Sequence, residues 1–180
     1  QTELQQDALW VRDVTISNST WGNRLLKIFA PRNGIHALGG GIGQGMPMGI
    51  GAALGAEGRK VVALCGDGGL MLNIGELATA VQEQADVTLL VMNDQGYGVI
   101  RNIQDARFGG RHYFTDLRLP DFAKLSESLS VPHWNVTSIS EFGEKFREAL
   151  AVNGPALVEV NMQAIGPFKV PFAGPPVRTK

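Results

Sequence analysis

The sequence predicts an α/β domain of three layers, with helices on both faces of a mostly parallel central sheet. The runs "KVVALCG" from Lys60 and "DVTLLVMN" from Asp86 are continuously apolar and of strand length, as expected of strands buried on both faces. Between them "NIGELATAVQEQA" places Ile74, Leu77, Ala78, Val81 and Ala85 at helical spacing, so residues 60–93 read as one β-α-β unit. A right-handed crossover makes the two strands parallel and, most simply, neighbours. At 180 residues, 44% hydrophobic and 18% charged, the chain is long enough for one buried core and short for two.

In chain order, residues 11–16 predict a short extended piece interrupted by Asp13. "SNSTWGNRLLKIF" from Ser17 then offers Ser and Asn caps for a helix from about Thr20. "GIHALGGGIGQGMPMGIGAALGA" from Gly34 starts as a glycine-rich loop and ends as a helix of small residues. Pro47 is tolerated in its first turn, where a missing N–H costs nothing. After the β-α-β unit, "YGVIRNIQDARF" predicts a helix and "GGRHYFTDLRLP" a polar loop. "DFAKLSESL" predicts a helix capped by Asp121, "HWNVT" a strand, "SEFGEKFREALA" a helix and "PALVEVNM" a buried strand. "QAIGPFKVPFAGPPVRTK" is rich in Pro and Gly and reads as a surface tail; residues 1–165 form the domain and 166–180 the tail.

The formal net charge of −1, with no Lys/Arg cluster, gives no electrostatic footprint for nucleic acid. Cys65 is the only cysteine, so neither an intrachain disulfide nor a CxxC pair can form. No signal-peptide pattern opens the chain and no stretch approaches the roughly 18 uninterrupted apolar residues of a membrane span. A cytoplasmic setting without membrane contact is the expectation. Against this plain background stand 23 glycines, many of them between Gly34 and Gly69.

Asp67 and Asp94 each lie just past the carboxyl end of a predicted strand, and parallel neighbours bring such ends together. Taken singly, an Asp-Gly turn and an Asn-Asp strand exit are ordinary turn chemistry. Together they place two carboxylates on one spot, where they repel unless a proton or cation intervenes. A hard cation such as Mg²⁺ takes oxygen ligands completed by water and phosphate. Gly68 and Gly69 can offer unobstructed N–H groups near a helix start, and Gly96 and Gly98 permit close backbone approach.

"GDG" at Gly66, followed downstream by "ND" at Asn93, resembles the thiamine diphosphate fingerprint. The resemblance extends through "GGGIGQGMPMGIGAA", "GDGGLMLNIGELATA" and "VMNDQGYGVI". From about residue 10 to the tail, the chain resembles the diphosphate-binding domain of the acetolactate synthase, pyruvate decarboxylase and benzoylformate decarboxylase superfamily, and so implies the thiamin-diphosphate-binding fold. The resemblance implies Mg²⁺ held by the Asp67 and Asp94 side chains and the Gly96 carbonyl, with two diphosphate oxygens and a water. Asp94 departs from the more frequent asparagine; it keeps an oxygen ligand and adds charge, so metal binding should survive.

By the same resemblance Gly40 contacts the aminopyrimidine, and Ile42 wedges the cofactor into a V in which its amine reaches the thiazolium carbon. Ile42 is equally acceptable as a core residue. Gly66, Gly68, Gly69, Tyr97 and Gly98 complete the expected cofactor contacts. Ser17 and Asn18 stand where related enzymes contact the diphosphate, or serve as helix caps. His36 is a possible proton relay or a loop hydrogen-bonding residue; His112 lies in a region that varies with substrate; His133 and Glu76 read as structural. A dinucleotide site is disfavoured, because the glycines have no G-x-G-x-x-G register and no apolar strand immediately precedes them.

The implied function is decarboxylation of a 2-oxo acid, with protonation or carboligation of the resulting enamine, as in acetolactate synthase. The glutamate that serves the pyrimidine ring in this superfamily belongs to another domain, and nothing here resembles that domain. The site is therefore expected to be completed by another chain or by an N-terminal portion, in a homo- or hetero-oligomer. Two alternatives are a subunit of a two-chain sulfopyruvate- or phosphonopyruvate-type decarboxylase and a non-catalytic cofactor-binding scaffold.

Overall fold

The computed structural model describes residues 1–18, 22 and 25–166. Among these, six strands form one sheet: β1 (Leu9–Arg12), β2 (Gly34–His36), β3 (Val61–Gly66), β4 (Val87–Asn93), β5 (His133–Val136) and β6 (Ala156–Asn161). Their order is β2-β1-β3-β4-β6-β5, and each of these pairings is parallel. The helices are α1 (Gly45–Leu54), α2 (Asp67–Leu72), α3 (Glu76–Gln82), α4 (Gly98–Phe108), α5 (Phe122–Ser128), α6 (Ile139–Leu150) and α7 (Met162–Ile165).

Consecutive residues of β3 and β4 alternate between two separate cores, which is why their sequences show no polar face. Val61, Ala63 and Cys65 join Val87, Leu89 and Val91 beneath Met46 and Ile50 of α1, Leu70 of α2, Leu77 of α3 and Phe122 of α5. Val62 and Leu64 join Leu90, Met92 and Val158 on the opposite face, covered by Phe146 and Ala149 of α6. The expected three layers are therefore present. Each such fully buried aliphatic side chain contributes about 1.5–3 kcal/mol relative to exposure.

Small residues set the distance between α1 and the sheet. A Cβ on Gly49 would stand 2.9 Å from the Ala63 Cβ and 3.2 Å from Val87 Cγ2. Pro47 sits in the first turn of α1, as expected. α5 begins at Asp121, whose side chain accepts from Lys124 N, and α6 opens with a capping box between Ser138 and Glu141.

Several expectations are corrected. The first strand ends at Arg12, so Asp13 terminates it rather than interrupting it. A short edge strand, β2, precedes the glycine cluster where the sequence reads as loop; it pairs with β1 through residues too few to show a periodic signal. The helix of the β-α-β unit is split, because α2 starts directly at Asp67 and Asn73 ends it before α3 begins at Glu76. The segment after β6 opens with α7, capped by the Asn161 side chain accepting from Ala164 N. The predicted helix start near Thr20 and the tail beyond Gly166 lie outside the described residues. No helix among the described residues is long and apolar enough to cross a membrane.

Candidate functional site

A cavity of about 780 Å³ opens over the carboxyl ends of the strands, where open parallel sheets hold ligands. Its wall comes from the exits of four strands: Val14, Thr15 and Ile16 after β1, residues 66–69 at and after β3, Asp94 and Gly96 after β4, and Met162 and Gln163 after β6. Gly40 and Ile42 of the glycine-rich loop and the first residues of α4 close it. The cavity thus collects Gly40, Ile42, Gly66, Asp67, Gly68, Gly69, Asp94, Gly96, Tyr97 and Gly98 from positions far apart in the chain.

Register brings the two aspartates together. Gly66 pairs with Met92, so β3 and β4 release Asp67 and Asp94 at nearly the same level. Asp67, only 1% exposed, opens α2. Its Oδ1 accepts from Gly68 N at 2.7 Å and its Oδ2 from Gly96 N at 3.0 Å. Burial and then the neighbouring Asp94 carboxylate push Asp67 up to about 6 from an ordinary 3.8. Burial also raises Asp94, opposed chiefly by Arg101, whose Nη1 lies 3.9 Å from Asp94 Oδ2 while Nη2 reaches Asp116 Oδ1 at 3.1 Å.

The glycines have more than one reason to be present. A Cβ on Gly98 would collide with the Asp94 carboxylate, and one on Gly96 with the Arg101 guanidinium and the Thr115 carbonyl. The Tyr97 ring occupies the place of a Gly68 side chain, with Cε1 at 2.6 Å from the Cβ position. Gly68 N–H is engaged by Asp67, so the expectation that it is unobstructed is corrected. The loop bearing Gly96 is itself held by residues 115–117: Tyr97 N donates to Thr115 O at 2.8 Å and Leu117 N to Gln95 O at 3.0 Å.

Ser17 and Asn18 are 0% and 2% exposed and do not line the cavity; their neighbours Val14, Thr15 and Ile16 do. His36 is exposed at the end of β2, and His112 Nε2 lies 2.6 Å from Asp105 Oδ1, both away from the cavity wall. His133 pairs with buried Glu159 at 3.1 Å, and Glu159 also accepts from Asn93 at 2.6 Å. Exposed Glu76 likewise lies off the cavity wall. Arg101, Met162 and Gln163 line the cavity without having been singled out in the sequence. Arg101 alone left a sequence signal, as a cation one helical turn beyond Gly98.

Among the described residues no three His, Cys, Asp or Glu side chains converge on a metal position. The chain therefore offers a partial oxygen shell, two carboxylates beside backbone groups, in an open glycine-walled cavity. That donor set suits a hard divalent cation shared with a phosphate-bearing ligand.

Residues 15–160 match the family described as thiamine pyrophosphate enzyme, C-terminal TPP binding domain. The chain belongs to that family. Acetolactate synthase large subunits are among the similar proteins: that of Haemophilus influenzae is 35% identical over 135 residues, covering 73% of this chain and 24% of the relative. That of Buchnera aphidicola is 36% identical over 136 residues, covering 74% and 24%. Among solved structures, the thiamine diphosphate-dependent 4-hydroxybenzoylformate decarboxylase of Rhodococcus jostii superposes with a TM-score of 0.79 at 28% identity, covering 89% of this chain and 30% of that one. This TPP-binding domain thus spans about a quarter of the length of those synthases, and its cavity lies within the matched residues except at Val14, Met162, Gln163 and Gly166.

Proposed function

We propose that the cavity binds the diphosphate of thiamine diphosphate through Mg²⁺, as part of an enzyme that decarboxylates a 2-oxo acid and then protonates or carboligates the product carbon. The observation that carries this reading is the convergence of Asp67 and Asp94 at adjacent strand ends inside a glycine-walled cavity. Asp67 and Asp94 supply metal oxygens and the Gly96 carbonyl a third. Asp67 is held in place because both its oxygens accept backbone N–H groups. Arg101 partly offsets the charge that Asp94 brings.

Bound there, the cofactor supplies a thiazolium carbon able to accept the electrons released with CO₂. Ile42 lines the cavity and is 37% exposed, which supports its reading as the residue that presses under the cofactor's bend. Gly40, with a φ of +73° and no atom within 4 Å of its missing Cβ, leaves room for a ring to lie against the backbone. Val14, Ile16, Val99 and Ile100 give the cavity an apolar lining beside the two aspartates. The pyrimidine end is completed by a domain outside these residues, in keeping with the matched part being only 24% of the Haemophilus influenzae relative.

Calorimetry with thiamine diphosphate and Mg²⁺, in the presence of the pyrimidine-binding partner, tests the reading. Asp67→Ala should abolish Mg²⁺-dependent binding; wild-type protein that binds no cofactor, or a variant that binds it normally, overturns the proposal.

A further inference from the structure

Ile42 lines the cavity from a loop rich in glycine, so other groups must hold that side chain in place. Gly39, Gly40 and Gly43 all have positive φ, and such residues lose the most freedom when fixed. Ile42 is followed by the one buried residue of that turn, Gly43. Gly43 is gripped from two sides. Its N–H donates to Asp13 Oδ2 at 2.9 Å, and its carbonyl accepts from Asn73 Nδ2 at 2.7 Å. A Cβ at Gly43 would stand 3.0 Å from Asn73 Nδ2, 3.1 Å from Leu72 Cβ and 3.3 Å from the Gly69 carbonyl, at a φ of +91°. The residue has no freedom to slide.

One gripping side chain, Asn73, ends the helix that carries Asp67, and the other, Asp13, leaves the strand beside β3. Asp13 follows β1, is 0% exposed, accepts from Val14 N at 2.7 Å and lies 3.0 Å from the Cβ position of Gly69. Asn73 ends α2, the six-residue helix that Asp67 begins. A charged acceptor makes the Asp13 bond the stronger one, and burial removes its competition with water.

We propose that Asp13 and Asn73 are positioning residues, a clamp on Gly43 that fixes Ile42 against the cofactor and ties that wedge rigidly to the Asp67 helix. Through α2, the metal ligand and the wedge move as one unit. This inference rests on the cofactor reading above.

Amide hydrogen exchange on the cofactor-free chain tests the clamp directly. In Asn73→Ala, which removes only an exposed side chain's bond, the Ile42 and Gly43 amides should exchange about five- to tenfold faster, with those of β3 and β4 unchanged. Asp13→Asn, which leaves one carboxylate acceptor fewer, should have the larger effect. With cofactor, Mg²⁺ and the pyrimidine-binding partner, Asn73→Ala should slow exchange of the thiazolium proton about tenfold while cofactor Kd stays within about threefold. A purely structural role would lower Tm and leave thiazolium exchange per bound cofactor unchanged. That result, or unchanged amide exchange in the loop, overturns the clamp. The Asp67→Ala control separates the two readings: if it leaves cofactor binding intact, the cofactor reading fails and loop amide exchange alone decides the clamp.

Discussion

At the scale of single residues, Asp67 links the fold to pH. Its pKa in the folded chain, about 6, lies above the ordinary 3.8. With no metal bound, the folded state therefore holds a proton that the unfolded state gives up between about pH 4 and 6. The protonated form favours folding below about pH 4, and that advantage is lost as pH rises through 6. The proposed Mg²⁺ binding would run the other way, because it needs the carboxylate. Mg²⁺ affinity should rise about tenfold per unit up to about pH 6 and level off above 7, as titration calorimetry at pH 5, 6 and 7.5 would show; a flat profile contradicts the proton count. Gly98 makes a second residue-scale prediction, since its missing Cβ makes room for the Asp94 carboxylate. Gly98→Ala should cost about 1–3 kcal/mol of stability by overpacking, and much less in an Asp94→Ala background. Thermal unfolding of the four proteins checks this. The sequence flagged Gly98 and both aspartates by motif. It could not show that Gly98 answers to Asp94, because that contact depends on how the loop turns back on itself.

At the scale of elements, the strands that were legible are the ones that bury both faces. β3 and β4 carry apolar residues at every position but one or two, so no choice of period competes with strand. α2 was less legible because "DGG" is poor helix sequence; it is helical because Leu70 reaches the core and Asp67 suits a helix N-terminus. β2 was missed because three residues at a sheet edge carry no alternation. α1 shows how small residues are used: Gly49 brings the helix axis close to Ala63 and Val87. Gly49→Val should push α1 off the sheet and cost about 1–3 kcal/mol, read as a lower denaturation midpoint with an unchanged m-value. Unaltered stability would mean the helix packs less closely than the structure shows. α4 buries none of its residues, and Val99, Ile100, Arg101 and Asn102 face the cavity. Its amphipathic pattern thus serves the site rather than a core.

At the scale of the whole molecule, all-parallel pairing sends all six strand exits to one end of the sheet, and the cavity forms over four of them. The chain spans about a quarter of the synthases it resembles, so we expect no turnover from it alone. CO₂ release from 2-oxo acids, followed with cofactor and Mg²⁺, should appear only when the pyrimidine-binding partner is added; turnover by the chain alone would place the whole site within these residues. The sequence by itself determined the α/β class, the β-α-β unit and the pair of aspartates, because apolar periodicity and glycine-aspartate motifs are local properties of the chain. The tertiary structure decided that Asp13 grips Gly43 and Arg101 faces Asp94, and that Val14–Ile16 rather than Ser17 and Asn18 meet the cavity. Those outcomes depend on strand order, register and the direction in which each chain segment leaves the sheet, which no local run of residues encodes.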